Sequence, residues 1–396
     1  MKSKETITIC GIPAGSQKPI TCTITHGVIT CIKENTRDTP IDVGDEETII
    51  APLLFDIQVN GGFGISVQDE DLTEDNLLEL SRKLFHLGIV RWVPTIVSNS
   101  IEKTEFLCKV IGNSLKKNKE LSFAIPGIHL EGPWISPEDG PRGAHAKEYI
   151  RPPSKQEFEK YYKLADGKIL YVTLAPETKK AIPFIKYLTS RGVCVSLGHH
   201  NASLSLMQDA VEAGATLCTH IGNGIQNYIH RHNNPIWYSL VEDRLSVSVI
   251  ADGHHLPPTV LKIIAKCKKP NNIILVSDAT KFMGMSSGVY KEFGSEVELK
   301  KNGELCLKGT PYLAGSASSL LDCITIWRKN TWNSWDKCFK CASSIPAKLL
   351  KVKMPLFRVS VGAKANFICV KMNREKNKLV PVGVFCNAKN FFYTQK

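Results

Sequence analysis

Eight short apolar runs, each followed by a stretch of helical period, set the limits on how this chain can fold. In order they are LLFDIQV, RWVPTIV, FAIPGIHL, ILYVTLA, VCVSLG, ATLCTH, LSVSVIAD and NIILVSD, spread between Leu53 and Asp278. Most are apolar on both faces, the pattern of strands covered by helices on either side. Between them, Leu77, Leu80, Leu84 and Leu87 make one apolar stripe that Gly88 stops. Comparable helical segments run over 154–166, 179–192, 203–214 and 258–267, with a further one over 316–331 after the eighth run. Strands and helices in strict alternation predict an α/β fold with a parallel (β/α)8 TIM-like barrel. A doubly wound open sheet is the runner-up, because periodicity alone does not show closure.

The two ends of the chain read differently. TITIC and ITCTITHGVITCI alternate in the strand manner around a GIPAGSQKP turn, and FRVSVG, NFICV, PVGVFC and FFYT do the same at the far end. Each end is too small to bury a core alone. We expect residues 1–50 and 357–396 to pair into one small β-sandwich domain, with the barrel over 51–356.

Composition removes several classes of function. With 43% hydrophobic and 22% charged residues, the 396-residue chain is neither disordered nor fibrous. No stretch approaches the roughly 18 apolar residues of a membrane helix, so no membrane partner is expected. The opening MKSKETITIC shows no signal peptide, and thirteen scattered cysteines read as reduced thiols, which together predict a cytoplasmic protein. The net charge of +12 suits an anionic small molecule. The lysines are dispersed, and the runs over 115–119 and 266–269 fall at helix ends, where they complement the dipole. No nucleic-acid partner is expected. Cys338 and Cys341 form a lone CxxC that reads as a surface coincidence rather than a metal or redox site.

The histidines concentrate the chemistry: nine of eleven lie between His129 and His255. Barrel enzymes carry their reactive groups at the C-terminal ends of the strands. Here those ends hold Gln58 and Asn60, then Glu131, His199, His220, Asp252 with His255, and Asp278. A single histidine ending a strand is commonly a hydrogen-bonded structural residue, but five strands finishing in ligand or acid–base types at one rim are harder to explain that way. One carboxylate and two neutral imidazoles can hold a zinc-like ion and leave a position for water. A separate carboxylate can carry the proton. Glu131, His199 and His220 fit the first role and Asp278 the second. Neighbouring side chains on a strand point to opposite faces, so only one of His199 and His200 can face the site.

With these residues in view, the chain resembles the N-acetylglucosamine-6-phosphate deacetylase family of the amidohydrolase superfamily. The resemblance is carried by FDIQVNGGFG, GIHLEGPWISP with RGAH, VTLAPE, VSLGHHNAS, THIGNG, IADGHHLPP, LVSDAT and YLAGSA, with a G-x-K-A-N-F element from Gly362. It implies metal ligands at Glu131, His199 and His220 and an acid–base aspartate at Asp278. It implies one divalent ion, Zn2+ in the first place and Fe2+, Mn2+ or Co2+ in the second. Gln58 and Asn60 stand where many amidohydrolases have a His-x-His pair, and neither amide is a strong zinc ligand. They are expected beside the ion or its water. Substrate contacts carry over to Ala144, His145, Asn223, Gly224, Arg231, His255, Leu313, Ala314 and Gly315. The implied partner is a small-molecule amino-sugar phosphate, and the implied assembly a homodimer. The family's THLFNAM reads THIGNGI here, which removes an aromatic and adds two glycines. Glycine frees the backbone to approach an anion, while the GK[ST] of a phosphate-binding P-loop is absent. Hydrolysis of N-acetyl-D-glucosamine 6-phosphate is the expected activity. The alternatives are an amidohydrolase acting on another acetamido sugar or a cyclic amide, and a non-catalytic sugar-phosphate-binding protein.

Overall fold

The computed structural model describes residues 5–34, 40–292, 295–310, 313–387 and 390–393. The ends of the terminal segments and Tyr312 of YLAGSA lie outside the described residues.

All eight apolar runs are strands: Leu54–Val59, Ile89–Val97, Ile128–Glu131, Ile169–Leu174, Cys194–Leu197, Leu217–Cys218, Ser246–Ile250 and Ile273–Val276. They lie side by side in sequence order and pair in parallel throughout. The ring closes where Val59 bridges Ala279, with the Asn60 N–H donating to the Ala279 carbonyl at 2.7 Å. Asp56, wholly buried in strand one, accepts N–H bonds from Gln58 and, across the seam, from Ser277, each at 3.3 Å. This closed, helix-covered sheet is a TIM-like barrel.

The covering helices start and stop on local signals. Thr73 and Asn76 form a capping box ahead of Glu74–His86. Gly88 ends that turn at φ +78°, and Ile368 occupies the space its Cβ would fill, locking the barrel's first helix to the C-terminal strands. Asn234 caps Pro235–Val241, with proline in the first turn where its missing N–H costs nothing.

Strands from both ends of the chain make one seven-stranded sheet separate from the barrel. Val43–Ala51 joins the two halves, pairing in parallel with Thr6–Pro13 and antiparallel with Phe367–Asn373. The sheet packs its own core of Ile7, Ile9, Cys22, Ile24, Ile29, Phe367, Cys369 and Phe385.

Three features depart from expectation. Gly288–Glu292, Ser295–Leu299 and Leu305–Leu307 form an antiparallel sheet after barrel strand eight that the sequence reading did not anticipate. Cys338 and Cys341 are buried rather than on the surface, since helix Trp335–Cys341 turns both inward, and burial pushes each thiol up to about 12. Lys268 does not sit on the outside of its helix end. Its Nζ is buried and donates to the carbonyls of Ser239 and Glu242, at 2.7 and 2.6 Å, capping helix Pro235–Val241 instead.

Candidate active site

Glu131 ends barrel strand three, and His199 and His220 follow strands five and six by two residues each. The barrel brings the three together, all buried. Glu131 Oε1 lies 3.2 Å from His199 Nε2 and 3.0 Å from His220 Nε2, and the two ring nitrogens are 3.1 Å apart. These separations are near the edges of a tetrahedron whose centre is roughly 2 Å from each atom, the distance of a Zn–N or Zn–O bond. His199 donates its other ring N–H to the Pro141 carbonyl at 2.9 Å, which leaves the Nε2 lone pair turned inward. His200, its neighbour, faces away and accepts the Ala202 N–H at 3.3 Å. Burial alone would raise the Glu131 pKa, but hydrogen bonds and charge from the two imidazoles outweigh it and hold the carboxyl well below the usual range. Among the described residues this is the cluster whose donor chemistry fits a cation.

Gln58 and Asn60 take separate posts. Gln58 Nε2 donates to Glu131 Oε1 at 2.9 Å, and Asn60 Nδ2 donates to Asp278 Oδ1 at 2.7 Å. Burial and the nearby Glu131 charge raise the Asp278 pKa, while His220, His255 and the Asn60 bond pull against them. A carboxyl whose hold on a proton is strengthened in this way is the kind of group that can carry one.

Three of these side chains stand on backbone in the left-handed region: His199 at φ +54°, His220 at +28° and Asp278 at +48°. Non-glycine residues are uncommon there, and such strain gathers at functional sites.

Other predicted residues are distributed around this centre. His145 is buried against His199 with ring centroids 4.4 Å apart, and its Nδ1 meets Ser98 Oγ at 2.8 Å. Ala144 is exposed on the same loop. Asn223 donates to the His220 carbonyl at 3.2 Å. Gly224 packs on His199 so closely that a Cβ would lie 2.7 Å from its Nδ1. His255 binds Asp252 Oδ2 through Nδ1 at 2.7 Å. Gly315 abuts Thr280, two residues beyond Asp278, in the segment where Ser316 bridges Ala279. Arg231 is exposed, and its carbonyl accepts the Trp237 indole N–H at 3.0 Å.

One layer deeper runs a polar belt that the sequence reading missed. Thr95 Oγ1 meets His129 Nδ1 at 3.1 Å, and His129 Nε2 meets Thr173 Oγ1 at 2.7 Å. Thr173 continues to Thr219 at 2.8 Å and Thr219 to Ser196 at 2.5 Å. His129 stacks on Tyr171 at 3.8 Å. Five neighbouring barrel strands are thus laced together directly beneath Glu131, His199 and His220. The alternation IHLE and the polar residue inside each run were the available signal.

Comparisons with known proteins give the family and the fold. The amidohydrolase family profile matches residues 51–391. An N-acetylglucosamine-6-phosphate deacetylase from Homo sapiens is 34% identical over 332 residues, covering 81% of this chain and 79% of that protein. One from Bacillus subtilis is 29% identical over 334 residues, covering 83% and 82%. The crystal structure of such a deacetylase from Mycobacterium smegmatis superposes with a TM-score of 0.82 at 23% identity, over 98% of this chain and 100% of that one. By its profile match and by relatives above 30% identity, the chain belongs to the amidohydrolase family and groups there with the N-acetylglucosamine-6-phosphate deacetylases.

Proposed function

We propose that this chain is a metal-dependent deacetylase that hydrolyses N-acetyl-D-glucosamine 6-phosphate to D-glucosamine 6-phosphate and acetate. The observation that carries the reading is the convergence of Glu131, His199 and His220 beside Asp278 at one end of the barrel, in a chain whose relatives bear that name. A divalent ion is the cofactor, and two imidazoles with one carboxylate favour zinc. Gln58 and Asn60 supply no second strong ligand set, which supports a single ion. When bound, such an ion polarises a carbonyl and acidifies water.

Asp278 does the proton work. It accepts the proton of the attacking water as the new C–O bond forms, then delivers it to the amide nitrogen as the C–N bond breaks. Asn60 holds Asp278 Oδ1 throughout, so the carboxyl is aimed before substrate arrives. Gln58 fixes Glu131 in the same manner. We assign the sugar contacts, on the family resemblance, to His145, Asn223, Gly224, His255 and 313–315, and the phosphate contact to Arg231. The phosphate assignment draws support from the +12 net charge.

Arg231 stands free on a loop with exposed Tyr228, Trp237 and Val241 nearby. An apolar patch beside a cation suits a homodimer in which that loop meets a second copy. Thirteen cysteines outside any disulfide support a reducing, cytoplasmic setting, and no described helix is long and apolar enough to cross a membrane.

The direct test measures acetate release from N-acetyl-D-glucosamine 6-phosphate with and without chelator. Activity that chelator abolishes and zinc restores is expected. Turnover of another acetamido sugar in preference to this one would reassign the substrate, and no hydrolysis of any would overturn the reading.

A further inference from the structure

The structure assigns Asp252 as the positioning residue of His255, fixing that ring in one tautomer with Nε2 free for substrate. The inference rests on the deacetylase reading above and deepens its account of the sugar site. Asp252 follows barrel strand seven and is 4% exposed. Its two oxygens divide their work. Oδ1 accepts the backbone N–H groups of His254 and His255, both at 2.9 Å, which sets the turn. Oδ2 faces His255 Nδ1 at 2.7 Å. A carboxylate only accepts, so Nδ1 must carry the hydrogen, and in the ring's neutral form that leaves Nε2 as an acceptor. A hydroxyl or amide of the substrate therefore meets an acceptor of fixed direction.

A merely structural Asp252 would hold the turn and nothing else, and one substitution separates the two roles. In Asp252→Asn the side-chain oxygen must stay on the two backbone N–H donors, which leaves the amide N–H2 facing the ring. The turn survives, but Nδ1 now accepts, and the hydrogen moves to Nε2.

Three measurements on the metal-loaded protein test this. With ¹⁵N-labelled histidine, at a pH where the ring is neutral, the wild-type His255 should be protonated at Nδ1 and the D252N ring at Nε2. The resonance is assigned by its loss in His255→Ala. D252N should keep its metal content and thermal midpoint while kcat/KM falls roughly 10- to 100-fold, the worth of one lost hydrogen bond to substrate. In the His255→Ala background, D252N should cause no further loss. A wild-type ring protonated only at Nε2 overturns the assignment, and that reading requires no variant to fold. Unchanged kcat/KM in D252N, or an equal loss in both backgrounds, overturns it too. Wild-type protein that hydrolyses no acetamido sugar phosphate would defeat the deacetylase reading, while the tautomer measurement would still decide the role of Asp252.

Discussion

Asn60 and Asp278 meet across the seam of the barrel: the amide of one, just beyond strand one, donates to Oδ1 of the other, just beyond strand eight, at 2.7 Å. The bond both aims the carboxylate and favours its ionised form, against burial and the Glu131 charge that oppose ionisation. Closing the barrel and setting the proton affinity of Asp278 are therefore one structural act.

Removing this donor should shift the pH dependence. Without Asn60 the Asp278 pKa rises further, and a base must be ionised to work. The acidic limb of the kcat/KM profile should thus move to higher pH in Asn60→Ala, with metal content unchanged. A limb that stays in place would show that Asn60 does not tune Asp278.

Substituting Asp278 itself should separate chemistry from binding. Asp278→Asn keeps the shape but takes no proton, so kcat should fall roughly 10²-fold or more while metal content and KM change little. Steady-state kinetics with elemental analysis of the same samples decide this, and near-normal turnover would remove Asp278 from the proton path.

The three converging donors should behave as one site. Protein purified without chelator is expected to carry about one equivalent of divalent metal. His199→Ala and His220→Ala should each lose most of it. Stoichiometric metal in both variants would contradict the assignment.

Arg231 gives a prediction that depends on the substrate. A charge-assisted contact to phosphate is worth about 1.5–3 kcal/mol. Arg231→Ala should raise KM roughly 10- to 150-fold for the phosphorylated sugar and leave the free sugar unaffected. Equal treatment of the two sugars by the wild type would reject a phosphate role. Loss of the effect in a monomeric variant would place the arginine in a neighbouring subunit's site.

Acid should unfold the protein through its buried imidazoles. Burial holds His129, His145 and His200 each at about 3, against an ordinary value of 6.5. The folded state keeps them neutral while the unfolded chain takes up protons below that ordinary value, so stability falls as pH drops from about 6.5. Three such groups can contribute up to about 4 kcal/mol per pH unit. Thermal midpoints measured down the pH scale should show this decline, and it should be shallower in His129→Gln.

The barrel strands were legible because each is buried on both faces, as in VCVSLG, and so carries its own apolar signature. The rim residues were legible because five strands finish in ligand or acid–base types, which isolated structural histidines would not produce together. The short sheet over 288–307 escaped notice because its strands, such as SEVEL, bury only alternate residues over a small core of Phe282, Val297, Leu299 and Leu305. The partition of Gln58 to Glu131 and Asn60 to Asp278 was hidden because it depends on which strands meet at the seam, and spacing along the chain does not encode that. Cys338 and Cys341 were misplaced because three-residue spacing puts both on one helix face without saying whether that face looks inward.

The left-handed backbone at His199, His220 and Asp278 has a consequence for substitution at those positions. Each of those conformations costs on the order of 1–3 kcal/mol that glycine would not incur. Replacing any of the three by glycine should relieve that strain but forfeit the packing and hydrogen bonds of the side chain removed. This chain holds two imidazoles and a carboxylate there against the preference of its own backbone.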